Sequence, residues 1–172
     1  MDRVVVSPDL SIFSGLRIGS GFDIHPLSSD PKRRFILGGI EVCDSNGPLG
    51  HSDADVVCHA LSDAILGSAA LGGLGDHFKD TDERWRDKDS IEMLVFCHQM
   101  FVKAGHRLIN ADVTVVLQEP RISTFLSLIS SNMSRVLGAQ VSVKAKSAEK
   151  IGSLGSGQAV VCFATTLGYK TS

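Results

Sequence analysis

The chain has 172 residues, of which 43% are hydrophobic and 21% charged, proportions that exclude a disordered or low-complexity polypeptide and suit one domain. Lys and Arg number 17 against 19 Asp and Glu, a formal net charge of −2; this disfavours a nucleic-acid binder built on bulk positive charge, because phosphate neutralisation needs clustered cations. No segment reads as a membrane span, since 64–75 is uncharged but short and 151–169 is interrupted by Gly, Ser, Thr and Gln.

Residues 1–16 hold Asp2, Pro8 and Asp9 around a short run of valines. They lack the pattern of a secretory signal and the Arg-rich, acid-poor character of a transit peptide. The stretch 1–16 therefore reads as an extension before a single domain, 17–172. A strand is predicted over 17–22, ending at a Gly-rich turn. Short strands at 34–37 and 40–42 flank Gly38-Gly39 and predict a β-hairpin. Asn46-Gly47-Pro48 marks a turn in a polar loop. Ser52-x-x-Asp55 has the form of a capping box and starts a first helix. Val57, Leu61, Ala64, Ile65 and Ala69 share one face of it, and Gly72, Gly73 and Gly75 end it. The acidic segment 76–89 reads as an exposed loop. Ile91, Leu94, Val95, Phe101 and Val102 mark a second helix that Gly105 closes.

An apolar interior strand is predicted over 108–117. Ile122, Phe125, Leu126, Ile129, Met133 and Val136 form the stripe of a third helix, with Gly138 as its C-cap. Strands at 141–145 and 159–167 complete the pattern, separated by a flexible Gly-Ser turn at 151–157. The order predicts an α/β (α+β) sandwich: a mixed four-stranded sheet with helices layered on it, plus the hairpin.

Cys43, Cys58, Cys97 and Cys162 are spread along the chain without a C-x-x-C, so a zinc ribbon, a redox motif and a disulfide scaffold have no support. Cys58 and Cys162 lie in apolar runs and read as small core residues. The expectation is a reduced, cytoplasmic chain, with a mature plastid stromal form as the alternative.

The residues richest in chemistry are Asp23-x-His25, His51 and His59. Side chains at i and i+2 of an extended segment point the same way, so Asp23 and His25 can face one ion. With His59 they make one carboxylate and two imidazoles, three donors that leave an open position as in catalytic zinc sites. The same spacing also fits a chance Asp-x-His and an ordinary helical histidine. His51 and Ser52 stand ahead of the first helix, where free N–H groups and the dipole suit phosphate; a plain helix cap fits them equally. Asp53, Asp55 and Asp63 are explained by capping and a solvated helix face. Lys144, Lys146, Ser147, Glu149 and Lys150 follow a strand and fit a polyphosphate carrying magnesium, or else a solvated strand end. His77, His98 and His106 show no partner pattern.

Gly19-Ser-Gly-Phe-Asp23-Ile-His25, Gly50-His-Ser-Asp-Ala-Asp-Val56 and His59-Ala-Leu-Ser-Asp-Ala-Ile-Leu-Gly67 occur in order. Asp80-Thr-Asp82, Asp89-Ser90, Asn110-Ala-Asp-Val-Thr114 and Lys144-Ala-x-x-x-Glu-Lys-Ile-Gly152 follow. From Arg17 to about Leu167 this set resembles the 2-C-methyl-D-erythritol 2,4-cyclodiphosphate synthase family. The resemblance implies a chorismate-mutase-like homotrimer with sites between subunits, and a cyclising lyase of the non-mevalonate isoprenoid pathway. Its substrate would be 4-diphosphocytidyl-2-C-methyl-D-erythritol 2-phosphate and its leaving group CMP.

By position, the resemblance makes Asp23, His25 and His59 zinc ligands and gives Glu149 a magnesium or manganese ion on the diphosphate. His51 and Ser147 would act in catalysis. Substrate contacts would come from Asp23, His25, His51, Ser52, Gly73, Leu74, Gly75, Phe78, Asp80, Thr81 and Asp82. Others would come from the cytosine loop, Leu117, Gln118, Glu119, Pro120 and Arg121 onward to Ser123, and from Lys146, Ser147, Ala148 and Glu149. Four departures stand out. Ser20 replaces a usual His, Gly73 replaces an Asp that binds an erythritol hydroxyl, and Lys146-Ser147-Ala148 replaces three threonines. Ser153 and Ser156 replace the Phe and Arg that line a central cavity in some members, so prenyl diphosphate binding is not carried over. Gly73 and Lys146 keep open an alternative, a related zinc-dependent phosphohydrolase or phosphotransferase on another substrate.

Overall fold

The structure, a computed structural model, describes residues 13–50, 52–78 and 89–171. Strands β1 (Leu16–Pro26), β6 (Ala159–Lys170), β4 (His106–Val116) and β5 (Gln140–Lys146) lie side by side in that order. β6 runs antiparallel to both β1 and β4, while β4 and β5 are parallel, so the sheet is mixed as expected. β2 (Phe35–Leu37) and β3 (Ile40–Cys43) form the separate hairpin. Its turn residues Gly38 and Gly39 take φ of 55° and 71°, the left-handed pair that a tight two-residue turn requires.

Helix α1 (Val56–Ser68) packs on β1 and β6. On β1 the odd positions face the helix, and two of them are glycines. A Cβ at Gly19 or Gly21 would collide with the carbonyl oxygens of Ala64 and Ala60. Helix and strand therefore meet backbone to backbone, and the Thr166 hydroxyl of β6 donates to Ala64 O at 3.0 Å. This close approach carries the first turn of α1 over the C-terminal half of β1, where the site lies. Helix α3 (Ser90–Lys103) covers the outer side of α1, and α4 (Leu126–Leu137) packs on β5. α1 is thus buried nearly all round rather than on a single stripe. Phe35, Leu61, Ile65, Phe101, Val113 and Met133 are fully enclosed in the shared core. Cys58 and Cys162 are buried there as predicted, and burial raises both thiols well above their ordinary range.

Several boundaries differ from the sequence expectation. β1 continues past Phe22, because Asp23 and His25 still pair with Cys162 and Val160 of β6; the two residues sit inside the strand, not beyond it. α1 begins at Val56 with Asp55, not Ser52, as its N-cap. Ala54 at φ 57° lies outside right-handed helical geometry and sets that limit. In α3 the buried positions are Ser90, Met93, Leu94, Cys97 and Phe101, while Val102 faces solvent. The Gly-rich segments conceal two short helical turns, α2 (Leu74–His77) and α5 (Gly152–Gly155). Gly138 closes α4 in the left-handed conformation, as predicted.

Asp55 is not on a solvated face. It is fully buried, and its carboxylate accepts from the N–H groups of Gly38, Gly39, Val57 and Cys58 at 2.7–3.2 Å. One side chain thereby ties the hairpin turn to the start of α1. It also fills the helix N-terminus, so that end is not open to phosphate. Asp55→Ala strands these donors in the core. The expected loss is about 3 kcal/mol of unfolding free energy, read as a lowered urea midpoint.

Candidate active site

Asp23 and His25 lie two residues apart on the α1-facing side of β1, as strand alternation dictates. His59, in the first turn of α1, completes the group. Its Nδ1 lies 3.0 Å from Asp23 Oδ2, and His25 Nε2 lies 3.1 Å from the same oxygen. The two imidazole nitrogens are 3.3 Å apart. One oxygen and two nitrogens converge within a sphere that one ion fills. A carboxylate plus two neutral imidazoles suits a divalent transition metal with an open coordination position.

The far nitrogens have partners that aim the rings. His25 Nδ1 is 2.8 Å from the Leu49 carbonyl, which can only accept, so Nδ1 carries a proton and, in the neutral ring, Nε2 keeps its lone pair for a metal. Arg33 holds that loop: its Nε donates to Pro48 O at 2.8 Å and its Nη2 to Ser52 O at 2.7 Å. His59 Nε2 is 3.0 Å from Ser90 Oγ and 3.4 Å from Ser52 Oγ.

Burial by itself raises the Asp23 carboxyl, but hydrogen bonds and charge from His25 and His59 hold it well below the usual carboxylate range. Burial likewise opposes charging of His25, and the bond and charge of Asp23 outweigh it, raising His25 above 6.5. The signs give a stability window for the metal-free protein. His25 contributes stability that is full below its unfolded value and lost as pH rises through the raised folded one. Asp23 contributes stability that is present above its unfolded value and lost as pH falls through the depressed one. With chelator present, the pair stabilises most between roughly pH 4 and 6.5, and the melting temperature declines above that window. Saturating zinc removes the upper decline, since metal displaces the His25 proton. Thermal unfolding against pH, with chelator and with zinc, checks both limbs.

A second feature lies at the other edge of the same sheet end. Residues 117–123, with Ala145, Lys146 and Ser147, line a cleft of about 320 Å³. Leu117 N donates to Lys146 O at 3.0 Å, joining its two walls. Lys150 N donates to Gln118 Oε1 at 3.1 Å and Glu149 N to Ser147 Oγ at 2.9 Å. Glu149 and Lys150 both have positive φ, 51° and 60°, a costly pair that persists where surrounding bonds hold it.

The structure thus groups Asp23, His25, His59 and Ser52 in one place, and 117–123, Lys146 and Ser147 in another. Ala148 adjoins the second group and Glu149 is exposed beside it. Gly73 caps α2, its N–H donating to Asp76 at 2.8 Å, while Leu74 N donates to Asp63 Oδ1 at 2.6 Å. Gly75 is open to solvent, and Phe78 is buried in a second cluster with Leu66, Met93 and Cys97. His51, Asp80, Thr81 and Asp82 lie outside the described residues. Asp53 and Asp63 are engaged by Ser90 and Leu74 rather than merely solvated. Sequence reasoning gave no role to Ser90 at the site, nor to Arg33 and the Leu49 carbonyl. Only Ser90 left a trace, as part of the Asp89-Ser90 pair.

Fold and site define an α/β protein with a three-donor metal centre between an edge strand and the helix packed on it, and a cleft across the sheet end. The YgbB family model matches residues 16–168. The 2-C-methyl-D-erythritol 2,4-cyclodiphosphate synthase of Nitrosomonas eutropha is 42% identical over 149 residues, 85% of this chain and 88% of that protein. IspF of Plasmodium falciparum, solved as a CDP complex, aligns with a TM-score of 0.78 at 33% identity over 92% of this chain and 98% of that one. The bifunctional IspDF of Campylobacter jejuni aligns with a TM-score of 0.86 at 31% identity over 91% of this chain, which spans only 43% of that larger one. The chain belongs to the YgbB family, the family of the 2-C-methyl-D-erythritol 2,4-cyclodiphosphate synthases. No helix among the described residues is long and apolar enough to cross a membrane.

Proposed function

We propose that the protein converts 4-diphosphocytidyl-2-C-methyl-D-erythritol 2-phosphate into 2-C-methyl-D-erythritol 2,4-cyclodiphosphate in the non-mevalonate isoprenoid pathway. The observation that carries this reading is the convergence of Asp23, His25 and His59 in a chain of this family. An oxygen of the 2-phosphate attacks the β-phosphorus of the same molecule; that P–O bond forms, and the β-phosphorus–oxygen bond to CMP breaks with its electron pair leaving on CMP. Because the attack is intramolecular, positioning and charge neutralisation supply the rate, and no protein nucleophile is needed. When bound, zinc at Asp23, His25 and His59 and magnesium or manganese beside Glu149 neutralise charge on the diphosphate. His51 and Ser52 hold the 2-phosphate and erythritol end. Ser147 donates to the phosphoryl oxygens as charge develops, and Lys146 adds a cation. The 117–123 cleft takes the cytosine; the Plasmodium relative solved as a CDP complex supports a cytidine diphosphate type of ligand.

The active enzyme is a homotrimer, with each site shared by two subunits. Two observations support this. The sheet face away from the helices exposes Ile18, Phe22, Ile24 and Phe163, with Ile18 74% exposed, an apolar surface suited to cover by other copies. The triad lies at edge strand β1 and the cleft at the ends of β4 and β5, two to three interstrand spacings or about 10–14 Å away. A neighbouring subunit can bring its cleft to the triad. The solution mass should be three times the 18.3 kDa of the chain. The enzymatic domain is 17–172, preceded by a 1–16 extension, and it works in bacterial cytoplasm, with plastid stroma the alternative.

Gly73 favours a second reading, a zinc-dependent phosphohydrolase or phosphotransferase on a related substrate. It offers no carboxylate, and its own N–H and that of Leu74 are already bonded. Phosphorus NMR with the proposed substrate, zinc and magnesium separates the two. A cyclic diphosphate appearing with CMP is the expected result. CMP with an acyclic product means hydrolysis, and no reaction with zinc bound means another substrate.

A further inference from the structure

We propose that Ser90, oriented by Asp53, is a positioning residue for the metal centre, holding His59 in the tautomer and ring orientation that aim Nδ1 at the ion. This rests on the reading of Asp23, His25 and His59 as a divalent-metal site. Ser90 Oγ donates to Asp53 Oδ1 in a short contact. A hydroxyl has one proton, so toward His59 Nε2, 3.0 Å away, Ser90 Oγ can only accept. Nε2 must then carry a ring proton, and in the neutral ring, the form that binds a metal, Nδ1 is left with the lone pair on the side of Asp23 Oδ2 and His25 Nε2, 3.0 and 3.3 Å away.

Three features support a fixed device. Ser90 is fully buried, so bulk water does not compete for its hydroxyl. Ser90 N also reaches Asp53 Oδ2 at 3.3 Å, so Asp53 grips the residue at two points and ties the start of α3 to the segment before α1. Ser52 Oγ lies 3.4 Å from both His59 Nε2 and Ser90 Oγ, a longer contact that reinforces the same polarity. The two histidines are thus aimed by different means. His25 leans on a backbone carbonyl that no side-chain substitution removes, whereas His59 depends on a side-chain pair. Partners of this kind on the far nitrogen of a metal-bound histidine are worth about 10- to 100-fold in metal affinity.

The test uses the full chain stripped of metal by chelator and dialysis. Zinc affinity is measured by competition with a chromophoric chelator, for the unaltered protein, Ser90→Ala and Asp53→Asn. Histidine nitrogen–proton correlation spectra of the metal-free forms, taken where the ring is neutral, read the His59 tautomer directly. Ser90→Ala should weaken zinc by about 10- to 100-fold. Asp53→Asn should weaken it too, because an amide can donate to Ser90 and free its proton to point at Nε2, the polarity that puts the ring proton on Nδ1. In the unaltered protein the proton should sit on Nε2. Zinc affinity unchanged in both variants, or a neutral His59 ring with its proton on Nδ1 in the unaltered metal-free protein, overturns the proposal and leaves the metal site standing. Failure of the unaltered protein to take zinc overturns the metal-site reading itself. Should Ser90→Ala not fold, Asp53→Asn and the tautomer of the unaltered protein decide.

Discussion

His59→Ala lowers turnover by about 10³-fold or more and leaves the protein without zinc. The ligand set drops from three donors to two, too few to hold a divalent ion against a chelator. Subunit assembly survives, because His59 points at the α1-facing side of β1, away from the exposed sheet face. The imidazole is not solvent-facing: His59 is 9% exposed and is bonded to Asp23 and Ser90. Its removal therefore also leaves a small gap and takes from Asp23 one of its two imidazole partners, costing about 1–2 kcal/mol in the metal-free protein. Metal content, phosphorus NMR and solution mass on one preparation check this. Stoichiometric zinc in the variant would remove the triad as the site, and dissociation to monomers would make the ion structural.

Two inactive variants, His59→Ala and Glu149→Ala, regain activity when their subunits are mixed. Within one chain the triad and the Glu149 loop stand on opposite edge strands of the sheet, β1 and β5. If each site joins one subunit's triad to a neighbour's cleft, a site needs one partner with His59 and the other with Glu149. Random trimers from an equal mixture then hold about a quarter of the normal number of intact sites. Refolding or coexpressing the two variants and assaying CMP release measures this. No recovery, with mixed trimers confirmed by mass, would mean that each site is built within one chain.

The architecture was legible where the signals are local. Gly38-Gly39 foretold a hairpin turn because left-handed backbone is cheap only for such residues. Gly138 foretold the end of α4 for the same reason. Alternation placed Asp23 and His25 on one side even though the strand was drawn too short, since period two holds wherever the backbone stays extended. The start of α1 was misread because Ser52 and Asp55 are both good caps. The choice between them falls to Asp55, which also binds the N–H groups of Gly38 and Gly39, residues distant in sequence. Val102 was placed inside and faces out because the partner surface of α3 is set by α1, not by its own hydrophobicity.

The sequence by itself determined the residue types of the metal centre, the spacing of two of its three ligands and, through ordered motifs, the family. Tertiary structure alone decided that His59 meets them. That meeting depends on Gly19 and Gly21 letting α1 lie against the β1 backbone, and on Asp55 fixing where α1 begins. It alone also decided that Ser90, from another helix, stands behind His59. Strand alternation is a property of neighbouring residues, but the approach of a helix to a strand is settled by atoms far apart in the chain.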